Sequence, residues 1–200
     1  MRPSVPRILY LNPRYGGQDG LIILPLDQAS AAAYALQQGY DATVLDLAFE
    51  KDDAPLRRLL AEQRFDLVVI TCITICYRTA IEAAKLIKDV SALTPVAVMG
   101  EHVSYRKQET LKRHPQVDFI IAFEAEIVTC ELADHIVGSD DWRGADFSEI
   151  AGVSYRHDYL RPSPVEDAQI VTNRDRTPEQ NLDRFPPPAK HLYALRHYLE

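Results

Sequence analysis

The sequence predicts an α/β protein of flavodoxin-like class, with a doubly wound parallel sheet of five strands in the order 2-1-3-4-5 inside a three-layer sandwich. Short apolar runs alternate along the chain with segments of helical pattern, which is typical of parallel βαβ units. The run Leu67–Ile70 is unbroken, and three of its four residues are β-branched, as in a strand buried on both faces. Hydroxyl side chains follow it directly, so we expect this central strand to end there and lead into a helix.

Composition narrows the class of protein. At 200 residues the chain is long enough for one domain with a full core and a tail. A net charge of -7 with scattered basic residues argues against a nucleic-acid partner. No apolar run approaches the ~18 residues of a membrane-spanning helix, and Met1–Pro6 does not have the pattern of a signal peptide. An odd number of cysteines, three, favours a reducing cytoplasm over a disulfide framework, so we expect a cytoplasmic location.

The strands are predicted from apolar runs that end at turns or polar residues: Arg7–Leu11, Ala42–Leu47, Leu67–Ile70, Pro95–Met99 and Val117–Phe123. Helices are predicted between and after them from good helix formers and periodic apolar positions: Asp27–Gln38, a segment that begins after Asp53, Tyr77–Val90, Tyr105–His114 and Ile127–Val137. Asp53 is expected to cap the second helix, with Pro55 in its first turn.

Residues 139–200 differ in character from residues 1–138, and we predict a boundary between them. Gly152–His157 and Gln169–Thr172 predict two short strands of a β-hairpin that stands apart from the main sheet. From Arg174 onward proline and charge dominate. We expect this Pro-rich connector either to pack on another surface or to be mobile, because it cannot bury much apolar area by itself.

Candidate ligand-binding residues lie where the predicted strands reach their carboxyl ends, the edge at which open α/β sheets bind ligands. They follow the first, third, fourth and fifth strands: Asn12, Pro13, Tyr15, Thr71, Thr74, Tyr77, Gly100, Glu101, His102 and Glu124.

Several of these candidates have an ordinary structural alternative. Threonines at a strand-to-helix turn also serve as helix caps, so both roles stay open for Thr71 and Thr74. A lone histidine such as His102 is commonly a loop residue. Glu124, like Glu126, also fits a first helical turn, where acids complement the helix dipole. For Tyr15, with Leu24 and Pro25, two roles stay open: the lip of a ligand site, or packing in the core.

Five segments, in order and spacing, resemble the N-terminal cobalamin (vitamin B12)-binding domain of B12-binding radical S-adenosylmethionine enzymes. They are ILYLNP, QQGYDATVLDL, FDLVVITCIT, TPVAVMGEH and VDFIIAFEAE. Downstream, FSEIAGVSYR and NLDRFPPPAKHLY are similar to the family's connector, so the resemblance covers nearly the whole chain. It implies that residues 1–138 form a cobalamin-binding unit and that residues 139–200 lead toward a radical domain that this chain does not include.

The resemblance also implies a function. Cobalamin would be held at the carboxyl edge of the sheet by the candidate residues above, with no catalytic residue and no protein ligand to a metal in this chain. The parent protein would be a radical methyltransferase or a related B12-dependent enzyme, in which methylcobalamin donates a methyl group to a substrate radical. S-adenosylmethionine and a [4Fe-4S] cluster would belong to the downstream domain, the second expected partner besides cobalamin.

The sequence departs from the family pattern at two strand ends. The family has Gly-Gly-x-His after the fourth strand and Arg-Gly-Glu-Gly-Glu after the fifth, whereas this chain has Met99-Gly100-Glu101-His102 and Ala122-Phe123-Glu124-Ala125-Glu126. Losing glycines narrows the space for a ligand, which gives an alternative: a module that no longer binds cobalamin and contacts a partner domain instead. The motif Asp-x-His-x-x-Gly, whose histidine ligates cobalt in other methyltransferases, is absent.

Two other interpretations are disfavoured. Cys72 and Cys76 have Cys-x3-Cys spacing, but Thr79 stands where the third cysteine of an iron-sulfur motif belongs, so we interpret both, and Cys130, as buried apolar residues. A receiver domain requires an aspartate where Thr71 stands. A flavodoxin requires a hydroxyl-rich phosphate loop after the first strand, and the loop that follows Asn12 has no serine or threonine.

Overall fold

The computed structural model describes residues 5–15, 22–157 and 169–199. Within these ranges one sheet carries seven strands in the order β2-β1-β3-β4-β5-β6-β7. The strands are β1 (Arg7–Asn12), β2 (Asp41–Asp46), β3 (Leu67–Thr71), β4 (Val96–Met99), β5 (Phe119–Ile121), β6 (Val153–Arg156) and β7 (Ile170–Thr172). β1 to β5 are parallel, and β6 and β7 are antiparallel additions. The fold is therefore α/β with a mostly parallel, mixed sheet.

The prediction of a five-stranded, purely parallel sheet with a separate hairpin was wrong in strand number. The hairpin β6–β7 continues the sheet, because Ile121 of β5 pairs with Val153 of β6. Without β6, the short strand β5 would leave its backbone N–H and C=O groups at an open edge. The predicted hairpin itself is confirmed by the pairing of Arg156 with Ile170, while its connecting segment lies outside the described residues.

Helices cover both faces of the sheet. They are α1 (Leu26–Gln37), α2 (Ala54–Glu62), α3 (Tyr77–Val90), α4 (Glu101–Ser104), α5 (Lys107–Arg113) and α6 (Glu126–Val137). The helix predicted over 105–114 is found as α5, and a further short helix that was not predicted, α4, begins directly after Gly100 at the end of β4. Asp53 precedes α2 without a side-chain capping bond; its carboxylate instead accepts two hydrogen bonds from Arg14.

Two apolar cores lie between the sheet and the helices. Strand side chains alternate between them: Tyr10 and Val69 face the core beneath α1 and α6, whereas Leu11 and Ile70 face the core beneath α2 and α3. This alternation determines toward which face of the sheet the last side chain of each strand is directed.

The connector packs on the first of these cores. Arg176 forms an ion pair with Glu131 of α6, and the Phe185 ring meets the Tyr34 ring of α1 edge-on at 5.4 Å. The backbone N–H of Ala189 donates to the carbonyl of Ala29 at 3.0 Å. The described part of the connector therefore lies on α6 and α1 and reaches the carboxyl end of β2. None of the helices in the described ranges is long and apolar enough to cross a membrane.

Candidate functional site

Asn12 and Thr71 are neighbours at the carboxyl edge of the sheet. Asn12 ends β1 and Thr71 ends β3, and the parallel register pairs the preceding residues, Leu11 and Ile70. Because side chains alternate along a strand, both residues are directed to the α1 and α6 face, as Tyr10 and Val69 are. Both are buried. The prediction that these two strand ends lie side by side therefore agrees with the strand register.

Three polar atoms on this face have no hydrogen-bond partner among the described residues: Asn12 Oδ1, Thr71 Oγ1 and Gln28 Nε2. Gln28 lies in the first turn of α1, which begins at this edge of the sheet. We call Asn12, Gln28 and Thr71 the buried polar set. An unpartnered buried polar atom costs about 1–3 kcal/mol, and folded proteins rarely leave one. The set contains one acceptor, one donor and one hydroxyl, which suits a ligand that both donates and accepts hydrogen bonds.

Asp46 and Tyr198 belong to the same region, and sequence reasoning missed both. Asp46 ends β2, and its Oδ1 accepts a hydrogen bond from Asn12 Nδ2 at 2.9 Å. The Tyr198 hydroxyl donates to Asp46 Oδ2 at 2.6 Å. The rule that placed Asn12 and Thr71 at strand ends applies equally to Asp46 and would have found it. No local sequence signal points to Tyr198, which arrives from the connector.

Gly100 allows β3 and β4 to approach closely at this edge. It has a φ of +119°, which side chains of L-residues rarely adopt. A Cβ atom built there would lie 2.6 Å from the Cys72 carbonyl oxygen. The Cys72 N–H donates to the Met99 carbonyl at 2.7 Å, which fixes the two strand ends together. Glycine is therefore the residue that this close approach requires.

A second cluster lies on the α3 side of the edge. Thr74 Oγ1 lies 3.2 Å from His102 Nδ1, and the Tyr77 hydroxyl lies 2.8 Å from His114 Nε2. The Tyr77 ring also packs against the His102 ring at a tilt of 43°, with centroids 4.5 Å apart. Burial, and then Arg106, lower the pKa of His102. Burial, and then Arg113, lower the pKa of His114. Both imidazoles are therefore neutral at pH 7, and a neutral ring can accept a hydrogen bond from a hydroxyl.

The remaining predicted residues occupy the rim of the edge. Pro13 is buried, and Glu101 is exposed in the first turn of α4. The Tyr15 hydroxyl donates to the Ile23 carbonyl at 3.0 Å, and burial raises the pKa of Tyr15 to about 12. A Glu124 carboxylate oxygen accepts from the backbone N–H of Glu179 at 3.0 Å, so Glu124 contacts the connector.

The residues that replace family glycines differ in burial. Met99 and Ala125 are buried in the core beneath α1 and α6. Phe123 is 48% exposed and has a φ of +61°, which is unusual for a non-glycine residue. Its backbone N–H donates to Ser104 Oγ at 3.0 Å. Met99 therefore occupies space beside Thr71, whereas the Phe123 ring stays outside the core.

The three cysteines belong to no metal-binding cluster within the described residues. Cys72, Cys76 and Cys130 are buried free thiols, and burial raises the pKa of each. The described part of the chain contains no group of three or more histidine, cysteine or acidic side chains arranged to hold a metal ion. A cavity of about 600 Å³ lies at the opposite, amino edge of the sheet, between Phe65, Leu93 and Trp142, and includes none of the predicted site residues.

Comparisons with known proteins identify the family to which the chain belongs. Residues 17–133 match the family model of the B12 binding domain. Among curated proteins, an uncharacterised methyltransferase of Pyrococcus horikoshii is 25% identical over 87% of this chain. The 2-(S-pantetheinyl)-carbapenam-3-carboxylate methyltransferase of Streptantibioticus cattleyicolor is 29% identical over 58% of it. The chain spans only 35% and 16% of the length of these two relatives.

Solved structures show the same fold. The radical S-adenosylmethionine methyltransferase TsrM from Kitasatospora setae superposes on 84% of this chain with a TM-score of 0.67 and 21% identity. The cobalamin-dependent S-adenosylmethionine radical enzyme OxsB superposes on 98% of it with a TM-score of 0.72 and 16% identity. The chain spans 30% and 26% of those two proteins. Since the family model matches more than half of its residues, the chain belongs to the B12-binding domain family.

Proposed function

We propose that this chain is the cobalamin-binding domain of a radical S-adenosylmethionine methyltransferase, or of a related B12-dependent radical enzyme, and that it holds the corrin at the carboxyl edge of its sheet. Membership of the B12-binding domain family supports the choice of cofactor. The relatives, two methyltransferases and two radical S-adenosylmethionine enzymes, support the class of parent protein.

The observation that carries the proposal is the buried polar set. Thr71 Oγ1 and Asn12 Oδ1 lie at adjacent strand ends without partners among the described residues. Cobalamin is surrounded by carboxamide side chains and carries a nucleotide, so it offers the donors and acceptors that these atoms lack. Its chemistry therefore fits the residues present at this edge.

Each residue has a proposed task at the cofactor. Asn12, Thr71 and Gln28 bind polar groups, and Gly100 lets the backbone approach. Thr74, Tyr77 and His102 form the opposite wall, while Pro13, Tyr15, Glu101 and Glu124 form the rim. When bound, cobalamin supplies the methyl-transfer chemistry, and these residues orient it and exclude water.

Residues 139–200 are proposed to connect this unit to a downstream radical domain, which would carry S-adenosylmethionine and the iron-sulfur cluster. The contacts of the connector with α1 and α6 support that role, because they fix the direction in which the chain leaves the sheet.

A second candidate function is an interaction module without cobalamin. The burial of Met99 and Ala125 favours it, because both replace residues that would leave space beside Thr71. The exposed ring of Phe123 does not fill that space.

Binding of hydroxocobalamin tests the two functions. We expect the purified chain to co-elute with the corrin, and the Thr71→Val variant to bind it about tenfold more weakly, because a hydroxyl hydrogen bond is lost. Without ligand, Thr71→Val should not lower the melting temperature, since its hydroxyl has no partner among the described residues. Thr43→Val, the same change in the middle of β2, is the control and should bind normally. Absence of corrin from the wild-type protein would support the interaction module, and equal affinity of the two variants would contradict the role of Thr71.

A further inference from the structure

Two tyrosines of the connector reach the carboxyl edge of the sheet, where the cofactor is proposed to bind. The Tyr193 hydroxyl lies 2.9 Å from Gln28 Oε1, and the Tyr198 hydroxyl lies 2.6 Å from Asp46 Oδ2. The Phe49 ring meets the Tyr198 ring edge-on at 4.8 Å and fixes its position. Tyr193 therefore contacts a member of the buried polar set, and Tyr198 contacts Asp46, the hydrogen-bond partner of another member. More than 150 residues separate each tyrosine from its partner in sequence.

Asp46 determines which way the Asn12 amide faces. An ionised carboxylate only accepts hydrogen bonds, so the group of Asn12 that faces Asp46 must be the amide nitrogen, Nδ2. The other end of the amide, Oδ1, is then left as a buried acceptor without a partner among the described residues. If the amide turned over, its oxygen would face the carboxylate and the two acceptors would repel each other.

Tyr198 holds Asp46 in the position that this arrangement requires. Its hydroxyl donates to Oδ2, while Oδ1 accepts from Asn12 Nδ2 and from the Ala48 backbone N–H. Burial, and then the hydrogen bond to Asp46, raise the pKa of Tyr198, so the hydroxyl keeps its proton and remains a donor. Both oxygens of the Asp46 carboxylate therefore accept hydrogen bonds.

We propose that Tyr198 is a positioning residue for the cofactor site: by holding Asp46, it fixes the Asn12 amide with Oδ1 as an acceptor beside Thr71. The ligand group that Asn12 receives is then a hydrogen-bond donor, such as a primary amide N–H or a hydroxyl. Tyr193 acts directly on Gln28: its hydroxyl donates to Oε1, which leaves Nε2 as a donor without a partner among the described residues. The connector thus completes the cofactor site. The site therefore forms fully only when the connector is packed on α1 and α6. This inference rests on the proposed function.

The test is the Tyr198→Phe variant, which keeps the ring against Phe49 and removes only the hydroxyl. Tyr40→Phe is the matched control. The Tyr40 hydroxyl also donates to a carboxylate, that of Asp134, with an oxygen–oxygen distance of 2.7 Å, but this pair lies away from the carboxyl edge of the sheet. We expect Tyr198→Phe to bind hydroxocobalamin about tenfold more weakly than wild type, which corresponds to one displaced charged hydrogen bond. Tyr40→Phe should bind hydroxocobalamin as tightly as wild type does. Equal binding by both variants would overturn the proposal.

A second readout does not depend on cobalamin. In the ligand-free protein, the Asn12 side-chain NH2 resonances should exchange with solvent at least about tenfold faster in Tyr198→Phe than in wild type or Tyr40→Phe. Two contacts are lost in this variant: the hydroxyl no longer holds Asp46, and it no longer accepts the long hydrogen bond from Asn12 Nδ2 at 3.5 Å. Unchanged exchange overturns the proposal. If wild-type protein fails to bind hydroxocobalamin while Asn12 exchange responds to Tyr198→Phe, the proposed function fails and the positioning of Asn12 by Tyr198 stands.

Discussion

Replacing Gly100 with alanine is expected to lower the free energy of unfolding by about 3 kcal/mol or more. Two costs combine at this residue. A φ of +119° is unfavourable for any side chain, and the new Cβ would lie 2.6 Å from the Cys72 carbonyl oxygen and 3.1 Å from its carbon. These are backbone atoms held by the strand β3, so they cannot move aside as a flexible side chain would. Urea unfolding of the purified variant measures the loss.

Gly39→Ala separates the two costs. Gly39 also has a positive φ, +87°, but a Cβ there meets no atom within 4 Å. This control should lose only about 1–2 kcal/mol, the cost of a left-handed conformation. If Gly100→Ala is no less stable than Gly39→Ala, then β3 and β4 do not approach each other at the carboxyl edge of the sheet as closely as described.

The second large effect is expected for Asp118→Ala, which should cost about 3–5 kcal/mol. Asp118 is buried, and its Oδ2 accepts hydrogen bonds from Lys88 Nζ at 2.5 Å and from the Val96 N–H at 2.7 Å. Burial raises the pKa of Asp118 to about 6, against the opposing effect of Lys88, so the carboxyl group is mainly ionised at pH 7. Its removal leaves the mostly buried Lys88 ammonium without that carboxylate.

Asp41→Ala is the control for an exposed ion pair. Asp41 accepts a hydrogen bond from Arg7 Nε at 3.0 Å, and both side chains are largely open to solvent, so the loss should stay below about 1 kcal/mol. Thermal and urea unfolding at pH 7 compare the two variants. Similar stability of both would show that Asp118 does not bind Lys88 in a buried site.

Much of the parallel sheet could be predicted from the sequence, because each parallel strand carries its own signal. Leu67–Thr71 is an apolar run buried along its whole length, and the predicted helix Tyr77–Val90 has the bounds found for α3. The position of β6 had no such signal. Its pairing of Val153 with Ile121 depends on an open edge that exists only once the sheet has formed.

The candidate site, too, could be predicted from the sequence only in part. The rule that parallel strands end at one edge placed Asn12 and Thr71 together, and it extends to Asp46. It could not indicate Tyr198 or Gln28, which reach this edge through the path of the connector and the start of α1. Nor could it show that Asp53 bonds Arg14 instead of capping α2, because that choice depends on a contact between distant segments.

The position of cobalt tests the central claim most directly. Crystals of the chain grown with hydroxocobalamin should give an anomalous difference peak from cobalt at the carboxyl edge of β1, β3 and β4. Polar atoms of the ligand should lie within about 3.2 Å of Thr71 Oγ1 and Asn12 Oδ1. A peak at the amino edge, in the cavity beside Phe65 and Trp142, or no cobalt in crystals of the same protein, would contradict the proposal that this edge holds the corrin.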